Sequence, residues 1–225
     1  MRCPRKNDKI MSISGMLKGF AFPNREIPGR ELEAARGRDE HPAGFEAGPH
    51  GNVQEGGRLL GKTVAVVMGS DSDFPVVEKA IKQLRALGIP AEWRILSAHR
   101  TPEEACAFAR DAEKRGVGVI IAAAGKAAAL AGVLAAHTVL PVIGIPLRSA
   151  ALDGLDALLS TVQMPPGVPL ATVGIDSAQN AAILAAQILA VSDAALRDRL
   201  ISQRGEMRAA VLEKDAVLQE KLETI

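Results

Sequence analysis

The densest chemistry in the chain lies in SAHRTP, residues 97–102, where Ser97, His99, Arg100 and Thr101 crowd together. An arginine guanidinium is a fork that fits phosphate or carboxylate, and neighbouring hydroxyls extend its grip on an anion. An unperturbed imidazole titrates at about 6.5, so a histidine beside such a fork can give and take a proton at physiological pH. Thr101-Pro102-x-Glu104 also reads as a helix start, with threonine as N-cap, proline in the first turn and glutamate closing a capping box. That reading accounts for Thr101 and Glu104 and leaves Ser97, His99 and Arg100 unexplained. A second polar stretch, GSDSD at 69–73, has a glycine that permits a sharp exit from a strand. Ser70 and Ser72 offer hydroxyls and backbone N–H groups for a phosphate, while Asp71 and Asp73 suit ribose hydroxyls or a helix cap. In a third stretch, GKAAALAG at 125–132, Gly125 and Gly132 allow backbone to approach a flat ligand. Lys126 there can meet a carboxylate or point to solvent. His137, at the end of the following helical stretch, suits a helix C-terminus rather than a reaction.

The elements that position these groups alternate. KTVAVVM (62–68) is a continuous apolar run, typical of a strand covered on both faces. In the stretch after it, Val77, Ala80, Ile81 and Leu84 share one helical face, and Gly88 suits the helix end. Further strands are expected at 92–96, 118–124, 141–146 and 169–175, and helices at 101–116, 126–137, 152–163 and 177–190. Five βα units in succession predict an α/β fold: a three-layer, doubly wound, parallel five-stranded sheet of the flavodoxin or Rossmann kind. Ligands of such folds sit at the carboxyl ends of the strands. The loops GSDSDF, SAHRTP, AGKAAALAG, PLRSAALDG and DSAQN are therefore the places for a site. After residue 192 the chain predicts a long C-terminal helix, with Ser192 as N-cap. Leu196, Leu200, Met207, Val211, Leu218 and Leu222 line one side of it, and Gly205 weakens it. About 30 residues of helix span about 45 Å, so part of the stripe is expected to need another subunit.

Composition bounds the classes. The 225 residues are 48% hydrophobic and 24% charged, with a net charge of +1, which gives no general attraction to nucleic acid or an anionic membrane. Aromatics make up 3%, so the core must be built from Ala, Val, Leu and Ile. Cys3 and Cys106 form neither a disulfide framework nor a metal-ligand spacing, which favours a reducing cytoplasm. No apolar run reaches the length of a membrane span, and the basic start is too broken for a signal peptide. Residues 1–59, rich in Gly, Pro and charge, are expected to be a disordered extension, with a short helix near Arg30–Arg36. A later true start, at Met11, Met16 or beyond, fits equally well. The expected organisation is thus 1–59 extension, 60–192 catalytic domain and 193–225 packing helix.

Taken together, VVMGSDSD, SAHRTP, LPVIGIP, LDGLDALLSTVQMPPGVP and NAAILAAQILA resemble the N5-carboxyaminoimidazole ribonucleotide mutase (PurE) family over about residues 62–195. The resemblance implies a purine-biosynthesis enzyme that moves a carboxylate from the exocyclic nitrogen of an aminoimidazole ribonucleotide to its ring carbon, by way of trapped CO2. It implies His99 as general acid/base, Ser70, Ser97 and Arg100 as phosphate contacts, and Asp73 as a ribose or substrate contact. Gly125 and Lys126 fall in the loop of the substrate pocket. It implies no metal or organic cofactor, and a homo-octamer with sites between subunits. One loop departs from the pattern Gly-Gly-Ala-Ala-His-Leu-Pro-Gly: here Lys126 replaces the second glycine and Ala129 the histidine. A basic residue and no histidine at those places resemble the related aminoimidazole ribonucleotide carboxylases, which use CO2 directly. The longer motifs favour the mutase, with the carboxylase as the alternative. A non-catalytic nucleotide-binding module is a third reading, weighed down by the intact Ser70, Asp73, Ser97, His99 and Arg100.

Overall fold

The computed structural model describes residues 62–224. The expectations for 1–59 and for a helix near Arg30–Arg36 lie outside the described residues. The elements in chain order are β1 (Thr63–Met68), α1 (Phe74–Ala86), β2 (Ala91–Ile95), α2 (Pro102–Asp111), β3 (Val117–Gly125), α3 (Leu130–Ala135), β4 (Val142–Leu147), α4 (Leu155–Val162), β5 (Ala171–Thr172), α5 (Ala178–Ala190) and α6 (Ala194–Leu222). The five strands are all parallel, in the order β2-β1-β3-β4-β5.

The alternation of side chains along β1 divides the core. Val64, Val66 and Met68 join α1, α5 and the start of α6 in one apolar layer. Ala65 and Val67 face the opposite layer with α2 and α3. A strand buried on both faces needs an unbroken apolar run, which is what 64–68 supplies. Helices come close because their contact faces are small: α5 buries six alanines, Ala178, Ala181, Ala182, Ala185, Ala186 and Ala190. Gly144 of β4 serves the same end, since a Cβ there would collide with the Thr161 methyl of α4.

The expected fold class stands, and four boundaries are corrected. The helix expected at 126–137 begins only at Leu130, because Lys126 takes a left-handed φ of 54° and residues 126–129 form a turn. The strand expected at 169–175 shrinks to Ala171–Thr172, paired only with Ile143 and Gly144 at the sheet's edge. It follows a proline-rich segment whose Pro169 has no N–H to give a ladder. The helix expected at 101–116 ends at Asp111, and a 3-10 turn, Glu113–Arg115, carries the chain to left-handed Gly116. On α6 the cap is Asp193 rather than Ser192, with its carboxylate accepting from the Leu196 N–H at 2.9 Å. Leu196 and Leu200 are buried, while Met207, Val211, Leu218 and Leu222 are exposed. No helix among the described residues is long and apolar enough to cross a membrane.

Candidate active site

Strand order reverses direction of winding between β1 and β3, where doubly wound sheets hold their ligands. A cleft of about 550 Å3 opens there, bounded by the loops that leave β1, β2, β3 and β4. All seven residues singled out from the sequence, Ser70, Asp73, Ser97, His99, Arg100, Gly125 and Lys126, line it.

The loop after β1 folds onto itself. The Asp73 carboxylate accepts the Ser70 N–H at 3.0 Å, and the Ser70 hydroxyl accepts the Ser72 N–H at 3.3 Å, a reciprocal capping box. Asp71 accepts from the Ser70 hydroxyl and from the Ser72 N–H, both at 3.0 Å. Those bonds hold the Asp71 carboxyl below the usual aspartate range. Asp73 goes the other way: burial pushes its carboxyl up, against the pull of the donors around it. Asp73 therefore binds its proton more tightly in the folded protein than in the unfolded chain. Its stability contribution is present below the unfolded pKa and lost as pH rises through the raised value. Asp73→Asn keeps an acceptor for Ser70. It is expected to melt higher than the wild type at pH 7, with the gap closing below about pH 4. Melting curves at both pH values check this, and a gap independent of pH contradicts it.

The loop after β2 is locked differently from expectation. Thr101 forms no side-chain cap on α2. Its hydroxyl turns back, accepting the Ser97 N–H at 2.8 Å and donating to the Ser97 carbonyl at 3.2 Å. The capping box with Glu104 is thus replaced by a closed turn that presents Ser97, His99 and Arg100 together. Arg100 reaches across to β1, donating through Nη2 to the Gly69 carbonyl at 3.1 Å, and its Nε lies 3.4 Å from the Ser97 hydroxyl. No carboxylate forms an ion pair with Arg100 among the described residues. Its charge is therefore free for an anion beside the Ser70 and Ser97 hydroxyls. The His99 ring is exposed at the cleft and makes no hydrogen bond to a described residue.

In the third loop the special backbone belongs to Lys126 rather than to Gly125. A Cβ on Gly125 would meet only ordinary contacts, the nearest 3.5 Å away. Lys126 holds φ at 54°, which costs a non-glycine residue about 1 kcal/mol. A glycine would sit there without strain; the lysine that takes its place is exposed and lines the cleft. Ala129, at the start of α3, also lines the cleft. His137 is confined to the far end of α3, its Nδ1 2.9 Å from the Val133 carbonyl. Sequence reasoning pointed to the loop after β4 and named none of its residues. Arg148, Ser149 and Ala150 form the fourth wall of the cleft. Their signal was only their place after a strand. No group of three or more His, Cys, Asp or Glu among the described residues could hold a metal ion.

A doubly wound sheet with two serines, an arginine outside any ion pair and a histidine at its switch point is the class of α/β protein whose cleft suits a small phosphorylated ligand. The sequence profile of the AIR carboxylase family matches residues 63–210, and the chain belongs to that family. It is 54% identical over 145 residues to the N5-carboxyaminoimidazole ribonucleotide mutase of Pyrococcus abyssi, covering 64% of this chain and 83% of that protein. It is 53% identical over 156 residues to the mutase of the same name from Mycobacterium tuberculosis, covering 69% of this chain and 90% of the other. The crystal structure of Treponema denticola PurE superposes with a TM-score of 0.63 at 30% identity, over 69% of this chain and 97% of that one.

Proposed function

We propose that this protein converts N5-carboxyaminoimidazole ribonucleotide to 4-carboxy-5-aminoimidazole ribonucleotide in purine biosynthesis. The observation that carries this reading is the single cleft in which the SAHRTP and GSDSD loops meet, in a chain about half identical to mutases over its α/β domain. Arg100, Ser70 and Ser97 hold the 5′-phosphate, and Asp73 takes ribose hydroxyls. With the substrate anchored, the N–CO2 bond breaks, and the exocyclic nitrogen regains a proton. The ring carbon then attacks the trapped CO2 and loses its own proton. His99, on the loop beside the phosphate site, serves both proton transfers, so the sum is an isomerisation. Gly125 and Lys126 lie on the wall beside the base, where the ammonium attracts the migrating carboxylate. Holding the ring and CO2 together accounts for most of the catalysis, since approach and orientation are settled before reaction.

A second reading, direct carboxylation of aminoimidazole ribonucleotide by CO2, is favoured by Lys126 and Ala129 alone. Purified protein is expected to isomerise the nitrogen-carboxylated substrate with no added bicarbonate. Product only from aminoimidazole ribonucleotide plus bicarbonate selects the carboxylase.

The proposal includes a cytoplasmic homo-octamer. Its support is exposed apolar surface: Leu152, Leu155, Leu159 and Val162 at α4, and the outer stripe of α6. Single exposed apolar residues need no explanation, whereas rows of them on helices do. Because Leu196 and Leu200 belong to the core, removal of all of 193–225 would also open the domain. Deletion from Met207 onward is the cleaner variant. Light scattering is expected to give an octameric mass for the full chain and smaller species for the deletion. A monomeric full-length protein contradicts the assembly.

A further inference from the structure

Three non-glycine residues among those described have a left-handed backbone: Lys126, Asp153 and Asp176. Lys126 lines the main cleft. Asp153 and Asp176 line a recess of about 360 Å3 that shares Arg148 and Ser149 with that cleft. Backbone strain of this kind persists only where surrounding structure imposes it, and it gathers at functional sites. What the two aspartates share is Arg148. Asp176 accepts the Arg148 backbone N–H at 3.0 Å through Oδ1 and approaches the Arg148 Nε at 3.5 Å through Oδ2. Asp153 pairs with the Arg148 Nη1 at 3.0 Å. Asp176 is itself anchored, its N–H donating to the Pro146 carbonyl at 3.0 Å. The next residue is held too, with the Ser149 hydroxyl donating to Asp156 at 3.2 Å.

The two arginines of the cleft are thus unlike. Arg100 has no carboxylate partner, whereas Arg148 has two, so its charge is already more than balanced. It makes a poor anion receptor and a good strut. We propose that Asp176 is a positioning residue: through one hydrogen bond to the Arg148 backbone and one ion pair with its guanidinium it fixes the Arg148–Ser149 wall of the substrate cleft. Without Asp176 the Arg148 backbone N–H would lose its partner, and the loop that leaves β4 would be held only by contacts within itself and with α4. A wall set in place before binding spares the ligand the ordering of that loop. This inference rests on the function proposed above only in its choice of ligand.

The test is affinity for aminoimidazole ribonucleotide, by calorimetry on the full chain. Asp176→Gly removes the hydrogen bond and the ion pair and relieves the left-handed backbone, and is expected to weaken binding about tenfold while melting close to the wild type. Asp176→Asn tolerates the same backbone and keeps an amide oxygen for the Arg148 N–H, and is expected to bind within about threefold of wild type. Unchanged affinity in Asp176→Gly, or an equal loss in Asp176→Asn, overturns the proposal. Hydrogen exchange reads the clasp without any ligand. The Arg148 amide is expected to exchange slowly in the wild type and fast in Asp176→Gly, with β1 and β3 still protected. Fast exchange at Arg148 in the wild type overturns the proposal as well. A wild type that shows this protection yet fails to turn over either substrate contradicts the proposed function and leaves the clasp standing.

Discussion

Replacing His99 with asparagine is expected to lower turnover by about 10²–10⁴-fold, the range of general acid–base catalysis. Affinity for the nucleotide is expected to change little. The side chain is exposed, so its loss opens no cavity and unsatisfies no buried partner. Asparagine keeps polarity and approximate size but cannot exchange a proton near neutral pH. Isomerisation needs a proton delivered to nitrogen and another taken from carbon, and His99 is the one imidazole among the residues lining the cleft. Single-turnover kinetics with calorimetry separate the two effects. Near-normal turnover in His99→Asn removes the histidine from the proton path.

Arg100→Ala is expected to raise the Kd for aminoimidazole ribonucleotide by about 10- to 100-fold, because one charge-assisted hydrogen bond is worth about 1.5–3 kcal/mol. The loss falls on binding because Arg100 forms no ion pair with a described carboxylate and lies beside the Ser70 and Ser97 hydroxyls in the cleft. It also releases the bond to the Gly69 carbonyl, so the β1 and β2 loops lose a cross-link. Arg100→Lys retains charge without the planar fork and is expected to fall between wild type and alanine. Unchanged affinity in Arg100→Ala would place the phosphate elsewhere.

Much of this was legible in the chain because the signals are local. The run 64–68 has to be a doubly covered strand, and Val77, Ala80, Ile81 and Leu84 are all buried on α1 as their spacing predicts. The loops of the site were found by rule, since they follow strands. What escaped is long-range or turns on a choice between near-equal neighbours. The Arg148–Asp176 clasp joins residues 28 apart in sequence, and nothing in either loop alone announces it. Thr101 had two competing partners, the α2 backbone and Ser97, and the fold selects Ser97. Ser192 and Asp193 are both good caps, and only the path of the chain out of α5 decides between them. At Lys126 the alanine-rich stretch favours helix by propensity, and the turn out of β3 overrides it.

The central claim is that a carboxylate moves from nitrogen to carbon within one site. It is tested most directly with N5-carboxyaminoimidazole ribonucleotide carrying 13C in the migrating carboxyl group, incubated with purified protein in unlabelled bicarbonate. The account predicts 4-carboxy-5-aminoimidazole ribonucleotide that keeps the label, because the released CO2 is recaptured before it exchanges with the solution. Product formed only from aminoimidazole ribonucleotide and bicarbonate, with the labelled substrate left unconverted, would contradict it.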